Sequence, residues 1–475
     1  MAIDTNELKT IDRKSRLRIP HHPPPKQRPE QRVRNWLEVY EAYDFETAKL
    51  EAMRCIQCPA APCQKACPLG NDIPGALLKL ESGDVLGAAA VFRETSPAPD
   101  MCGRLCPQES LCEGSCVVGK KAIPVVIGRL EAFIADYERD HSGRSAPDLA
   151  PPTGKRVAVV GSGPAGLTVA EVLVRSGHGV KVFEAWPRPG GVLRYGIPGF
   201  KMDKRHVDDQ VDYLHGLGVQ FVFDRVIGRD LPIDQLFADG YDAVFLGHGA
   251  GKARRMGVPG EQLECVYTAT EFLVRTNLEG DELPAHMRRP LKVGKRVVVI
   301  GGGDTAMDCV RSAVRTGAET VVCAYRRTES EMPGRVAERQ HAKEERVEFA
   351  FLVAPVEIIP ADDDESVGAV RLQRMELGED DASGRRRPEP IAGSEFEIAA
   401  DTVVVAIGYE VDPALTAATP DLQASEWGTV AVNGDGRTSR EGVFAAGDNV
   451  RGADLVVTAL ADAKRAAAAI NEYLA

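Results

Sequence analysis

Arg156-Val157-Ala158-Val159-Val160-Gly161-Ser162-Gly163-Pro164-Ala165-Gly166 runs a short apolar strand straight into a glycine-rich turn. Helical sequence follows from Leu167, so this G-x-G-x-x-G stands between a strand and a helix. Gly161 permits the tight turn, Gly163 lets the backbone approach a pyrophosphate, and Gly166 lets helix and strand pack closely. Pro164 and Ala165 complete the turn and belong to the cofactor-binding set, and the unpaired N–H groups and dipole of the helix after it favour phosphate. The next strand, Val180-Lys181-Val182-Phe183, ends at Glu184, 23 residues after Gly161. A carboxylate there accepts from ribose hydroxyls. The pattern predicts a dinucleotide site on a parallel sheet.

The logic repeats downstream. Val297-Val298-Val299-Ile300 leads into Gly301-Gly302-Gly303-Asp304-Thr305-Ala306, with Ala as the accepted variant of the third glycine. The strand after it, Val321-Val322-Cys323-Ala324-Tyr325, ends in Arg326-Arg327 and not in an acid. Paired guanidinium groups suit a 2′-phosphate, which favours NADP over NAD. An acid at one site and arginines at the other imply two different nucleotides, FAD at the first and NADPH at the second. Gly442-Val443-Phe444-Ala445-Ala446-Gly447-Asp448 reads as another strand and turn before a helix from Leu455. Asp448 is placed to bind the ribityl–phosphate region of FAD, with Gly447 in the turn. Since this piece is far from Gly161 in sequence, the NADPH domain is inserted within the FAD domain.

Eight of the eleven cysteines lie ahead of both units, in two runs: Cys55-x2-Cys58-x4-Cys63-x3-Cys67, then Cys102-x3-Cys106-x5-Cys112-x3-Cys116. Pro68 follows the first run, as in ferredoxin-type ligand strings. Disulfides need an oxidising compartment, and the N-terminus has no charged-then-apolar signal pattern. Structural zinc usually shows paired C-x2-C units, and only Cys55/Cys58 has that spacing. Two iron–sulfur clusters are the better reading. Cys265, Cys309 and Cys323 are isolated and read as buried small residues.

Composition sets bounds. The net charge of −12 argues against nucleic acid as a partner, and no run of 18 apolar residues indicates a membrane span. The expected location is the cytoplasm. Residues 1–35 are polar, basic and proline-rich, including Arg13-Lys14-Ser15-Arg16-Leu17-Arg18, and read as an arm wrapping another domain or subunit. Helical patterning from Trp36 to Tyr137, broken at Gly83, predicts a small helical domain that its clusters help to fold. The expected organisation is α/β: 1–150, arm and all-helical iron–sulfur domain; 151–285, FAD domain, first part; 286–415, NADPH domain; 416–475, FAD domain, second part. The turn-rich, charged stretch 361–390 reads as a solvent-exposed hairpin.

Taken together the chain resembles the small (beta) subunit of NADPH-dependent glutamate synthase and its relatives. Those relatives include the flavoprotein subunit of NADH-dependent ferredoxin:NADP oxidoreductase and the N-terminal half of dihydropyrimidine dehydrogenase. The motifs are Arg54-Cys55-Ile56-Gln57-Cys58, Cys102-Gly103-Arg104-Leu105-Cys106-Pro107, Ile127-Gly128-Arg129-Leu130-Glu131, Gly190-Gly191 with Leu193-Arg194-Tyr195-Gly196-Ile197-Pro198, Tyr325-Arg326-Arg327 and Ala446-Gly447-Asp448. The resemblance covers about Arg32 to Leu474 and adds Gly191 and Leu193 to the cofactor-binding set. It implies two [4Fe–4S] clusters with crossed ligation. Cys55, Cys58, Cys63 and Cys116 would hold one; Cys67, Cys106 and Cys112 would hold the other, with Glu131 or Cys102 as fourth ligand. It implies hydride transfer from NADPH to FAD, with no protein catalytic group, and onward passage of electrons to a partner in a hetero-oligomer. That partner is the large glutamate synthase subunit, or, in the alternative, ferredoxin or another redox protein. The second Cys run looks closer to the stand-alone and ferredoxin-reductase branches. His248, in Gly247-His248-Gly249-Ala250, stands where relatives mostly carry a small residue; it is open to two readings, a position near the flavin or a satisfied loop histidine, of which the second is favoured.

Overall fold

Five parallel strands carry the first glycine turn. Their order across the sheet is Val443–Ala445, Ala243–Leu246, Arg156–Val160, Gly179–Phe183, Gln220–Val222. Every neighbouring pair is parallel. The central strands are apolar on both faces because both faces are covered. On one side Val157, Val159 and Phe245 meet the helices Pro164–Arg175 and Val456–Leu474 through Leu167, Leu173, Ala463 and Ile470. On the other, Ala158, Val160 and Val244 meet Ile233, Leu236 and Leu415. The computed structural model describes residues 12–475 apart from Asp364, Ala382 and Ser383. The N-terminal stretch read for a signal pattern, and the last Asp of the 362–364 run, lie outside these.

A second five-stranded parallel sheet has the order Val266–Thr268, Thr402–Val405, Arg296–Ile300, Thr320–Tyr325, Glu348–Phe351. It lies in sequence between Ala243–Leu246 and Val443–Ala445 of the first sheet, which is the insertion expected. The boundary expected at 286 does not match the strand membership, however. Val266–Thr268 pairs with Thr402–Val405, so the second sheet recruits chain from well before that point. The stretch 361–390 is also only partly the exposed hairpin expected. Val367–Asp380 pairs with Val353–Pro360 and Phe396–Ala399. Val370 and Leu372 on it are fully buried against Val298, Ile300 and Ala324 of the second sheet. Only its outer pairing with Arg386–Pro390 is the charged, exposed part.

The N-terminal domain is helical, as its patterning predicts. Phe45–Met53, Ile73–Glu81 and Val85–Arg93 each start at an aspartate, Asp44, Asp72 or Asp84, whose carboxylate accepts a backbone N–H of the first turn. Gly83, at φ +88°, reverses the chain between the last two. They pack with Ile127–His141 around Leu77, Leu80, Phe92, Leu130 and Ile134. Among the described residues, no helix is long and apolar enough to cross a membrane.

The arm ties the parts together. Arg32 is fully buried and donates to Glu345 at 2.7 Å and Glu344 at 2.9 Å, both on the second nucleotide domain. Trp36 stacks on Phe200, and Val39 N–H donates to the Phe200 carbonyl at 2.9 Å, both on the first nucleotide domain. Glu38 accepts from Arg104, and Tyr40 lies under Arg129 at 3.9 Å, both in the helical domain. Replacing Arg32 with Ala strands part of the negative charge of Glu345. We expect a loss of about 3 kcal/mol in the urea unfolding of the full chain. A change below about 0.5 kcal/mol would show that the arm contributes no docking energy.

Candidate functional site

The first glycine turn lies at the carboxyl end of its sheet, where open α/β sheets bind ligands. Gly161 has φ +94°, and a Cβ there would stand 2.5 Å from the Gly247 carbonyl oxygen. A Cβ on Gly166 would stand 1.9 Å from the Gly161 carbonyl, so the helix packs directly on the turn. Gly163 behaves differently: the nearest atom to its would-be Cβ is the Gly191 Cα at 4.0 Å. Gly163 and Gly191 thus face one another as bare backbone, a cradle that side chains would fill. Gly447, at φ +85°, brings the C-terminal turn against Ala165, 3.0 Å from its would-be Cβ. The helix begins at Pro164, three residues before the start near Leu167 that the sequence suggests.

Glu184 stands at the end of its strand but already holds the turn. Its carboxylate accepts from Ser162 N–H at 3.0 Å and from Trp186 N–H at 3.0 Å, and it also takes the Ser162 hydroxyl. Ser162 Oγ in turn accepts from Gly190 N–H at 2.9 Å, which couples the two halves of the cradle. Burial pushes the Glu184 pKa up, against these hydrogen bonds. A carboxylate has about four lone-pair sites, so a ribose contact remains open to it. Ser162 is the site residue that sequence reading missed; only the x of the fingerprint marked it. Asp448 follows Gly447, and burial raises its pKa to about 7. His248 sits beside Gly161, and neither of its buried ring nitrogens has a hydrogen-bond partner. The expectation of a hydrogen-bonded loop histidine is therefore wrong.

The second turn repeats the geometry. Gly301 lies against the Ala406 carbonyl, while the would-be Cβ of Gly303 meets nothing closer than Pro333 at 3.9 Å. Asp304 accepts from Arg335 N–H at 3.0 Å, and Thr305 lies next to it at the start of the helix. The two arginines part company. Arg326 is exposed at the end of its strand. Arg327 is buried and donates to Asp381 at 2.5 Å and to the Arg386 carbonyl at 2.7 Å, which pins the outer hairpin.

The thiols gather in two neighbourhoods. Burial, then Cys63, Cys116 and Cys58, push Cys55 up to about 12, and burial with Cys116 and Cys58 pushes Cys63 up to about 11. Cys67, Cys102, Cys106, Cys112 and Glu131 form the second group, each acting on others of the set. Glu131, also raised, to about 8 by burial, accepts from the Asn71 side chain at 3.2 Å. Among the described residues, no three such side chains converge on a single-ion site. Cysteine thiolates are the donors that hold iron–sulfur clusters, and both sets are built mainly of them. The second group touches both nucleotide domains. Cys102 and Cys106 share an apolar core with Leu193, Ile197 and Leu455. The Cys106 carbonyl accepts from Arg335 at 3.3 Å.

Residues 155–463 match the family described as pyridine nucleotide-disulphide oxidoreductase, and residues 32–143 match that described as dihydropyrimidine dehydrogenase domain II, 4Fe-4S cluster. Fold and site thus define an NADPH-dependent flavoprotein oxidoreductase with an N-terminal iron–sulfur domain. The chain is 41% identical to the glutamate synthase (NADPH) small chain of Escherichia coli, over 95% of this chain and 96% of that one. It belongs to the glutamate synthase small-chain family. It is also 36% identical to the NADPH-Fe(3+) oxidoreductase subunit beta of Geobacter sulfurreducens, over 93% of this chain and 68% of that one. Mycobacterium tuberculosis FprA in complex with NADPH has the same fold over 68% of this chain and 85% of that one, with a TM-score of 0.58 and 24% identity.

The separation of the two arginines gives a prediction. Arg326→Ala should raise the Michaelis constant for NADPH roughly 10- to 150-fold and leave that for NADH nearly unchanged, as loss of a charge-assisted phosphate contact requires. Arg327→Ala should instead act on both nucleotides alike, through the hairpin it pins. Steady-state kinetics with both nucleotides checks this; the reverse pattern would make Arg327 the phosphate ligand.

Proposed function

We propose that this chain is the NADPH-oxidising subunit of a glutamate synthase, passing electrons from NADPH to a large partner subunit that forms glutamate from glutamine and 2-oxoglutarate. Bound FAD exchanges a two-electron hydride for single electrons, and iron–sulfur clusters carry them singly. The observation that carries the reading is the apolar core joining Cys102 and Cys106 to Leu193 and Leu455, beside the first nucleotide cradle. It packs Leu193 and Ile197, next to Gly191, into one core with the second thiol group.

The chain's own residues do the positioning. Ser162 and Glu184 fix the first turn, with Gly163 and Gly191 as its bare walls and Gly447 and Asp448 closing it from the C-terminal side. Gly301, Gly303, Asp304 and Thr305 shape the second turn, with Arg326 free to meet a 2′-phosphate. Cys55, Cys58, Cys63 and Cys116 would hold one [4Fe–4S] cluster. For the other, five donors compete for four positions. Cys102 is buried in the apolar core with Leu193, which suits a supporting thiol, whereas the Asn71 amide orients the Glu131 carboxylate. We assign Cys67, Cys106, Cys112 and Glu131 as the ligands. The expected setting is a cytoplasmic hetero-oligomer.

A second reading, reduction of ferredoxin or another redox protein, is favoured by the likeness to the Geobacter NADPH-Fe(3+) oxidoreductase subunit. Co-purification from native extract separates the two: recovery of a large subunit whose glutamate formation depends on this chain supports the first, and of a ferredoxin or other small redox protein the second. Anaerobically purified protein should hold about eight irons and one FAD per chain, as two four-iron clusters require. A chain with Cys63 and Cys112 changed to Ser should still bleach its own FAD with NADPH at near-normal rate while failing to drive the partner. Full partner turnover by that variant would remove the clusters from the electron route.

A further inference from the structure

His248 is the one histidine among the described residues whose two ring nitrogens are both buried and both without a hydrogen-bond partner. An apolar site does not need an imidazole, and a buried polar group without a partner is disfavoured. Its position indicates the missing partner. His248 follows Ala243–Leu246, the strand lying between Arg156–Val160 and Val443–Ala445. Its Cα stands 3.1 Å from where a Cβ on Gly161 would be, so it borders the turn that cradles the nucleotide. A second unfinished side chain lies at the same strand end. Asn449 donates to the Leu246 carbonyl at 3.0 Å but leaves its buried Oδ1 unpartnered. Gly447, two residues earlier, is the turn that packs on Ala165. Two incomplete polar side chains therefore lie on the carboxyl edge of the sheet, beside the turn where a bound nucleotide would supply complementary atoms.

Burial holds the His248 pKa down to about 4, with the Asp412 carboxylate the only charge acting on it. The ring is neutral near pH 7 and offers one N–H donor and one lone pair.

We infer that His248 is a binding residue for FAD, donating its ring N–H to an oxygen of the dinucleotide held over the Gly161 turn. This rests on FAD occupying the first site, and it replaces the small side chain expected there with a direct polar contact. The same contact explains why the imidazole has no protein partner.

The test uses the full-length chain as wild type, His248→Leu and His248→Gln. FAD affinity is measured by flavin fluorescence on dilution of the holoprotein, and thermal stability on the flavin-free protein. His248→Leu should bind FAD roughly 10- to 150-fold more weakly, the range for losing a hydrogen bond to a charged acceptor. His248→Gln, which keeps an N–H donor, should recover most of the affinity. Flavin-free His248→Leu should melt no lower than wild type, because an unpartnered polar group has been replaced by an apolar one of similar size. Unchanged FAD affinity in His248→Leu would overturn the inference. So would a lower melting temperature of the flavin-free protein together with equal FAD loss in the Leu and Gln variants, since the histidine would then be structural. Wild-type protein that binds no FAD at all would overturn the assignment of the first site, and the inference with it.

Discussion

A single carboxylate, Glu345, buried among three guanidinium groups, decides how the parts of this chain sit. Arg32, Arg311 and Arg315 reach it at 2.7, 3.0 and 2.7 Å, and its side chain is wholly inaccessible. Against the burial that would raise it, Arg311 and Arg315 bring its pKa down to about 2. A lone buried carboxylate is too costly to exist, so the chain must deliver the guanidinium groups together. Arg311 and Arg315 come from the helix after the second glycine turn, and both lie over the Phe200 ring, at 4.4 and 4.1 Å. Arg32 comes from the arm. One charge network therefore needs the arm, the first nucleotide domain and the second to meet in one arrangement. Buried ion pairs contribute less to stability than to this kind of specificity, and here the specificity is of domain position.

That arrangement brings the second thiol group to the meeting point of the two nucleotide domains. Arg335 illustrates it. Its backbone N–H donates to Asp304 at the start of the second fingerprint helix, and its guanidinium donates to the Cys106 carbonyl. Val336 N–H, at the start of its helix, donates to Glu109, beyond Cys106, at 3.2 Å. On the other side Leu193 and Leu455, flanking the first cradle, pack with Cys102 and Cys106. Any swing of the second nucleotide domain would have to break both the Arg335 contacts and the Glu345 network.

The glycine turns were legible in the sequence because their chemistry is local. Strand, turn and helix follow one another within a dozen residues, and each glycine is required by an atom a few residues away, as Gly166 is by the Gly161 carbonyl. The Asp-started helices between the cysteine runs were legible for the same reason. What failed depended on distant partners. Arg326 and Arg327 read alike, and only Asp381, 54 residues away, commits the second to the hairpin. The strand Val266–Thr268 is three residues long, too short for periodicity, and its membership is fixed by Val403–Val405 far along the chain. The charged stretch 361–390 hid Val370 and Leu372 because alternation was masked by the surrounding arginines and acids.

Some of the places where this chain departs from its own local rules lie at the two sites its motifs mark for cofactors. Gln57 at φ +50° and Ala61 at φ +38° adopt left-handed backbone that side chains avoid, and both lie between Cys55 and Cys63. Such strain persists only where something else over-determines the conformation, and thiolates fixed to a shared cluster supply that constraint. The unpartnered nitrogens of His248 and the unpartnered Oδ1 of Asn449 are the polar counterpart at the first nucleotide site. A consistent fold would have removed both kinds of misfit, the first by glycine and the second by an apolar side chain. Their positions, inside the first thiol loop and on the carboxyl edge of the first sheet, coincide with the two kinds of cofactor the sequence motifs call for. At these positions backbone strain and unsatisfied polar atoms fall on the two sites that the cysteine spacing and the glycine turns locate, while others, such as Leu352 at φ +55° and the buried Arg339 Nε, lie elsewhere in the chain.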